Sequence, residues 1–514
     1  MHYGEPLAEV MAEETTKAAR SPFGPILGTL LTLAALLGII ISPWKAVGLA
    51  LALTVVIVTM ARPNWALFFL AVYTPLEPFL LKFVPDELYI YARYFSEGLV
   101  YLLLAAVAIR IFSREKKLVA TPIDLPFVFF LLVAVTSLVV NFVPPFIGIL
   151  GLRQIIRYIL LFFVTVYLNP DDKFIRNVTT AMFGVVAFEG LLGLVQAFIG
   201  APMDEFLIPS QQHFYESIQL TSGTDQSWSP GTRVFATMGR YDQLGTFLCF
   251  FIILAIGFWY VHGRKQGGRK FMPFALMALP AFVLTLSRAS WFGLLIALFY
   301  VGGMLMRDWR VRFAYVGAIF LAVGYVAVTG ISVKYLTDYP SQTAVERLFE
   351  SFSYERWRGE YYGLGRLYWI VQTPMVVVRS SPLVGVGPGQ YGGGAAAALG
   401  NTAVYEKLNL PFGVYGTDGY IDNNWFSLWG ETGTLGLIFY AWMFVALWRM
   451  ALAVWREAKD PAVRGLALGF AGCVLAFAFQ AFLATYLEVR TIALYFWMYA
   501  AFVYVLGRRA KVFG

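Results

Sequence analysis

The sequence predicts an all-α polytopic membrane protein, and three observations carry that prediction. Of 514 residues, 59% are hydrophobic and only 14% charged, with a mean hydropathy of +0.67. A soluble protein of this size carries more charge. Runs such as GPILGTLLTLAALLGIII (24–41) and FLCFFIILAIGFWYV (247–261) recur along the chain. They approach or match the length needed to cross ~30 Å of hydrocarbon. The apolar residues come in blocks and do not alternate, so the spanning elements are helices and not barrel strands.

About fourteen transmembrane helices follow from the hydropathy pattern. They centre near residues 33, 53, 74, 104, 134, 159, 188, 251, 278, 297, 320, 443, 473 and 498. Residues 1–23 mix Glu5, Glu9, Glu13 and Glu14 with Lys17 and Arg20. They read as a cytoplasmic segment and not as a signal peptide, since no small-residue cleavage site follows the first apolar run. Residues 24–199 hold the N-terminal transmembrane helices. The basic loops are RIFSREKK (110–117), HGRKQGGRK (262–270), RDWRVR (307–312), WRMALAVWREAKDPAVR (448–464) and GRRAK (507–511). Placing all five in the cytoplasm gives one consistent threading with both termini inside. The net charge of +8 then belongs to retained loops, and no nucleic-acid partner is called for. Cys249 and Cys473 lie inside separate apolar helices and read as small core residues.

This threading leaves residues 200–240 as one external loop and 331–421 as a second, larger one. Between them, 241–330 forms transmembrane helices with an external turn at Arg288. Residues 422–514 supply the C-terminal transmembrane helices. In the larger loop, ERLFESFSYERWRGEYYGLGRLYWIVQTPMVVV (346–378) interleaves charged and aromatic residues at helical spacing, which predicts amphipathic helices. SSPLVGVGPGQYGGG (380–394) is a Gly/Pro breaker. A structured excursion of this length points to function more than to a plain linker.

The external side also collects the residues that carry chemistry. Arg233 and Arg240 stand in TRVFATMGRYDQLGTFL, Arg288 in TLSRASW, and Arg153 with Arg157 in GLRQIIRYILLFFV, one turn apart on one face. An arginine at membrane depth costs roughly 2.5–3.5 kcal/mol on the insertion scale. Two readings explain several on one side. They pair with Asp242, Glu189 or Glu431, or snorkel to headgroups. Alternatively they bind an anion, for which a diphosphate suits the planar guanidinium fork. DNNWFSLWGETGTLG (422–436) adds Asp422 and Glu431. Asp422 is either the N-cap of a membrane helix or a proton acceptor at its mouth. Glu431, nine residues on and near the opposite helical face, orients an arginine or packs on a neighbouring helix. Gly433 and Gly436 read as close helix contact. There is no HExxH, and GPGQYGGG lacks the Gly-Lys-Ser/Thr tail of a P-loop. The three histidines are His2, His213 and His262, with only His213 external, so no metal centre is expected.

These segments together resemble the bacterial O-antigen ligase and O-antigen polymerase superfamily. RVFATMGRYDQLGTFL is similar to the family's Arg-led segment before a span, with Asp242 where Asn is usual. TLSRASWFGLLIALF matches its Ser-Arg turn. SPLVGVGPGQY followed by DNNWFSLWGETGTLG matches the Pro-Leu-x-Gly-x-Gly segment and the Glu-x-Gly-x-x-Gly helix. The resemblance spans 231–436, and the first 170 residues match only as a helical scaffold.

The resemblance implies a GT-C-like, metal-independent, inverting glycosyltransferase of the bacterial inner membrane that needs no cofactor. Its donor is a glycan on undecaprenyl diphosphate at the external (periplasmic) face. Its acceptor is another glycan or the lipid A core. By position, Arg233 and Arg288 hold the diphosphate and Asp422 takes the acceptor proton. Arg240, Arg153, Arg157, Asn423, Glu431 and Asp242 complete the substrate site. Asp422-Asn423 stands where the ligase motif carries His-Asn, which favours a polysaccharide polymerase over an O-antigen ligase. A lipid-linked oligosaccharide flippase or other transporter is the alternative of another class; it should place ionisable groups and broken helices near the midplane. The transferase reading requires Arg233 and Arg288 to meet at a cavity beside Asp422.

Overall fold

The computed structural model describes residues 43–513 except 115–117, 210–213, 216–217, 220–232, 263–267, 331 and 338–342, together with positions 29, 32, 33 and 36. Its regular structure is helical, save for one short antiparallel pair, Phe214–Tyr215 with Ile218–Gln219. Ten of the described helices are long and apolar enough to cross a membrane. Three shorter ones, Val47–Ala61, Asp124–Val140 and Met272–Leu284, are apolar as well. The expected span centred at 33 lies largely outside the described residues. The other expected centres, from 53 to 498, each fall inside an observed helix.

Local chemistry sets many of the helix ends. Asp171, Asp308 and Asp460 cap the helices Asp172–Ile199, Trp309–Thr329 and Pro461–Gln480, each accepting a backbone N–H of the first turn. Such caps satisfy donors that have no partner inside the helix. Pro461 at the first helical position needs no N–H there. Gly330, at φ 64°, closes the 309–329 helix in the left-handed conformation that glycine adopts without penalty.

Arg490–Arg509 is the central helix: 94% of its apolar stretch is buried, against none of the 309–329 helix. Four of its hydroxyl side chains reach hydrogen-bond partners inside the bundle. Tyr495 donates to the Ala71 carbonyl (2.6 Å) and Tyr504 to that of Ala120 (2.6 Å). Thr491 donates to Gln243 (2.9 Å), and Tyr499 to Thr179 (3.5 Å). An unpaired hydroxyl in an apolar interior is costly, so these bonds fix the register of the central helix. Beside it, Tyr241–His262 packs on 461–480 through glycine. A Cβ on Gly257 would overlap the backbone of Gly469, the small-residue contact that membrane helices use for close approach.

Hydrogen bonds tie neighbouring helix ends together. Arg110 donates to the Met60 carbonyl, Tyr260 to Asp308, and Arg509 to Asn169. At the opposite end, Val234 donates to the Leu284 carbonyl and Arg490 to that of Arg93. The described residues of 331–421 contain five α-helices, from Ala344–Glu350 to Ala403–Lys407. They also hold a small core of their own, formed by Trp369, Val377, Val386, Tyr391, Tyr405, Val414 and Ile421.

Gly257→Leu should destabilise the protein by about 1–3 kcal/mol through overpacking, seen as a lower unfolding midpoint in detergent. Gly184→Leu should stay close to wild type, since a Cβ there meets nothing within 4 Å. Equal midpoints for the two variants would contradict the glycine contact.

Candidate functional site

The site is built around a break in the helix Asn424–Glu457. Gly433 sits inside it at φ 66°, ψ −172°, a conformation open essentially only to glycine. The break exposes backbone groups that a continuous helix would bond internally. The 382–387 segment takes them over. Val386 and Gly387 donate to the carbonyls of Gly430 and Glu431, both at 2.9 Å. Thr434 and Leu435 donate to the carbonyls of Pro382 (2.9 Å) and Leu383 (3.1 Å). Exchange of this kind is how irregular backbone is tolerated inside an apolar bundle.

Two buried carboxylates then hold the glycine run that follows. Glu431 accepts from the N–H of Gly389 (2.9 Å) and of Tyr391 (3.4 Å). Glu488 accepts from the N–H of Gly394 (2.7 Å). Three sequence expectations are corrected here. Glu431 orients a loop, not an arginine. Gly433 is a helix break docked by that loop, and a Cβ on Gly436 would meet Thr432 of its own helix. The N-cap is Asn423, whose Oδ1 accepts from Phe426 N–H (3.1 Å), while Asp422 lies one residue outside at φ 50°.

Beside the docked loop lies a partly open cavity of about 280 Å³. Five arginines line it (Arg93, Arg153, Arg157, Arg240 and Arg490) against two glutamates, Glu77 and Glu488. The arginines come from four separate stretches of chain, and buried counter-charges position them. Glu97, buried behind the wall, meets Arg153 at 2.8 Å and Arg157 at 2.9 Å. Arg157 also donates to the Glu488 carbonyl (2.7 Å). Arg490 pairs with Glu77 and donates to Ser96 (2.9 Å). Arg240 is held by Asp242 at 3.1 Å. Buried charges require such partners. The lining nonetheless keeps more guanidinium than carboxylate groups, and the Nε of Arg157 is buried with no hydrogen-bond partner among the described residues. An anion with several oxygens fits that surplus.

Of the residues singled out from sequence, Arg153, Arg157 and Arg240 meet at this cavity, with Asp242 behind Arg240. Arg233, Arg288 and Asp422 do not line it, so the meeting of Arg233 and Arg288 beside Asp422 that the sequence reading requires is not found at this cavity. The transferase reading fails in that form, and an anion site here rests on other arginines. The guanidinium of Arg233 stacks 4.4 Å from the Tyr241 ring. Arg288 meets the buried Glu350 of the large loop at 2.9 Å, and Glu350 also binds Arg347 (3.0 Å) and Arg356 (3.3 Å). Arg356 pairs with Glu360, Glu360 accepts from the Arg366 N–H (2.8 Å), and the Arg366 side chain meets Asp422 at 3.3 Å. A ladder of charges therefore joins Arg288 to Asp422 through the loop. Glu189, considered as an arginine partner, accepts from Thr237 instead.

Sequence reasoning missed Arg93, Arg490, Glu77, Glu97 and Glu488. A signal existed for two of them. Glu77 and Glu97 are carboxylates within apolar stretches, TPLEPFLL and FSEGLVYLLL, and intramembrane carboxylates are rare without a partner. No protein-family model matches the chain, and no curated protein matches it either.

Two outcomes test this geometry. Gly433→Ala should cost about 1–3 kcal/mol of backbone strain and, since its Cβ would overlap Leu383, release the 382–391 segment to proteolysis. Unchanged protection would argue against the docked break. In the same large loop, burial first and the Asp422 charge second push the Asp418 carboxyl up to about 7 from an ordinary 3.8. A raised folded pKa means stability present in full below the unfolded value and lost as pH rises through the folded one. Amide exchange in residues 411–421 should therefore be slowest near pH 4, after correction for intrinsic rates. It should quicken relative to that as pH passes 7, and Asp418→Asn should flatten the dependence.

Proposed function

We propose that the protein is a membrane glycosyltransferase that takes a glycan from undecaprenyl diphosphate on the external face of the bacterial inner membrane. Polymerisation of glycan repeat units is favoured over ligation to lipid A core. The observation that carries this is the convergence of five arginines on one cavity, at the bundle end where the large loop docks. In the same proposal the bundle has about fourteen spans in a GT-C-like arrangement, with both termini cytoplasmic.

The chemistry follows from the charges. Transfer breaks the bond between the sugar's anomeric carbon and a phosphate oxygen, so negative charge grows on the diphosphate as it leaves. Fixed guanidinium groups at low dielectric stabilise that charge most effectively when they are already oriented. Glu97, Glu77 and Asp242 do the orienting. Arg153, Arg157, Arg240 and Arg490 thus replace the pair Arg233 and Arg288 as the principal diphosphate contacts. Arg288 holds the large loop through Glu350, and the exposed rings of Tyr354, Trp357 and Tyr362 on that loop offer apolar faces for sugars.

One observation favours a second reading, a lipid-linked oligosaccharide transporter. The 424–457 helix is broken, and discontinuous helices mark transporter sites. Purified protein in liposomes separates the two: free undecaprenyl diphosphate with a lengthened glycan means transfer, whereas movement of an intact lipid-linked glycan means transport. On the transferase reading, Arg240→Ala should weaken donor binding about tenfold to a hundredfold, the worth of one charge-assisted hydrogen bond. Binding within twofold of wild type would remove Arg240 from the site.

A further inference from the structure

We infer that Glu488 is the general base of the transfer reaction, taking the proton of the acceptor hydroxyl inside the arginine cavity. The inference rests on the glycosyltransferase reading and departs from the assignment of that role to Asp422.

The argument is geometric. Glu77 and Glu488 are the two carboxylates on the cavity lining. Glu77 is occupied: it accepts from Ser96 (2.9 Å) and from Arg490. Glu488 forms no ion pair through its carboxylate among the described residues. Among those residues it accepts neutral donors alone, namely the Gly394 N–H (2.7 Å), Asn424 Nδ2 (3.4 Å) and Gln154. Its backbone is held in turn, since its N–H donates to the Thr485 carbonyl (3.1 Å) and its own carbonyl accepts from Arg157 (2.7 Å). The carboxylate is thus fixed in direction while its basicity is not spent on a cation. A Cβ on Gly394 would meet Gln154 Nε2 at 2.7 Å and Glu488 Oε2 at 3.0 Å, so glycine is what lets the carboxylate approach the Gly394 N–H this closely. Asp422, by contrast, meets Arg366 at 3.3 Å and lies off the lining.

The surroundings also suit proton transfer. Burial pushes the Glu488 carboxyl above the ordinary carboxylate range, and the Gly394 N–H, the Arg157 charge and Gln154 offset part of that rise. The titratable groups facing it are Arg157 from the 145–168 helix, Glu431 and Tyr440 from the broken helix, and Arg490 from the central one. A base whose affinity for the proton lies nearer neutrality is the more effective one. In the step itself, the acceptor oxygen bonds to the anomeric carbon as its proton passes to Glu488. The bond from that carbon to the phosphate oxygen breaks, and its electron pair leaves with the diphosphate. Glu488 then returns the proton to solvent.

The test uses full-length protein in nanodiscs with an undecaprenyl-diphosphate-linked oligosaccharide as both donor and acceptor. Glu488→Gln keeps the acceptor oxygen for Gly394 but cannot take a proton. It should lower turnover about 10²–10⁴-fold, keep donor binding within threefold, and abolish the acid limb of the pH–rate profile. Asp422→Asn should lose less than tenfold and retain that limb. Glu488→Asp, shorter by one methylene, should recover part of the rate with the limb intact. If Glu488→Gln turns over within tenfold of wild type, if its acid limb persists, or if folded Glu488→Asp is as inactive as Glu488→Gln, the assignment fails while the transferase reading stands. Wild-type protein that transfers no glycan overturns both.

Discussion

The structure depends on one exchange of backbone hydrogen bonds. Where Gly433 opens the 424–457 helix, segment 382–387 supplies the donors and acceptors that the helix has given up. Neither partner is viable alone in an apolar bundle. The break would leave buried carbonyls and N–H groups unpaired. The Gly/Pro segment has no regular structure in which to satisfy itself. Joined, they fix where the large loop enters the bundle, and therefore where the cavity lies. Glu431 and Glu488 extend the same principle, spending carboxylates on the N–H groups of a glycine run.

Charge placement follows from that scaffold. Five guanidinium groups around one cavity would repel one another and suffer desolvation unless each had an acceptor. Glu97 serves two arginines at once, Glu77 a third and Asp242 a fourth. Such pairs are weak evidence for stability, because desolvation offsets much of their attraction. Their effect here is orientation: the protein's own carboxylates hold the forks in place. The second charged system, running from Arg288 through Glu350 and Arg366 to Asp422, performs a different task. It ties a turn between two apolar helices to the large loop that lines part of the cavity.

The two systems account for the divergence between resemblance and geometry. The motif-bearing residues Arg288 and Asp422 are engaged in the loop ladder, and Arg233 stacks on Tyr241. The cavity instead draws on the earlier half of the chain (Glu77, Arg93, Arg153 and Arg157), where the resemblance was least specific. A helical scaffold supplies a wall of the site as well as its support.

The helical membrane character of the protein and the placement of its helices can be read from local patterns in the chain. Those properties are local: a block of apolar residues long enough to cross hydrocarbon declares itself within about twenty positions, and Asp, Pro and Gly mark its ends. Part of the arginine cluster was legible for the same reason, since Arg153, Arg157 and Arg240 stand out near apolar runs. Which cation meets which carboxylate is settled by folding alone. Arg157 and Glu97 are 60 residues apart, and Arg490 and Glu77 are 413 apart. No periodicity links such positions. Gly433 illustrates the same limit. In sequence it is one more small residue on a membrane helix, and it becomes a break only because a distant segment is there to take its neighbours' hydrogen bonds.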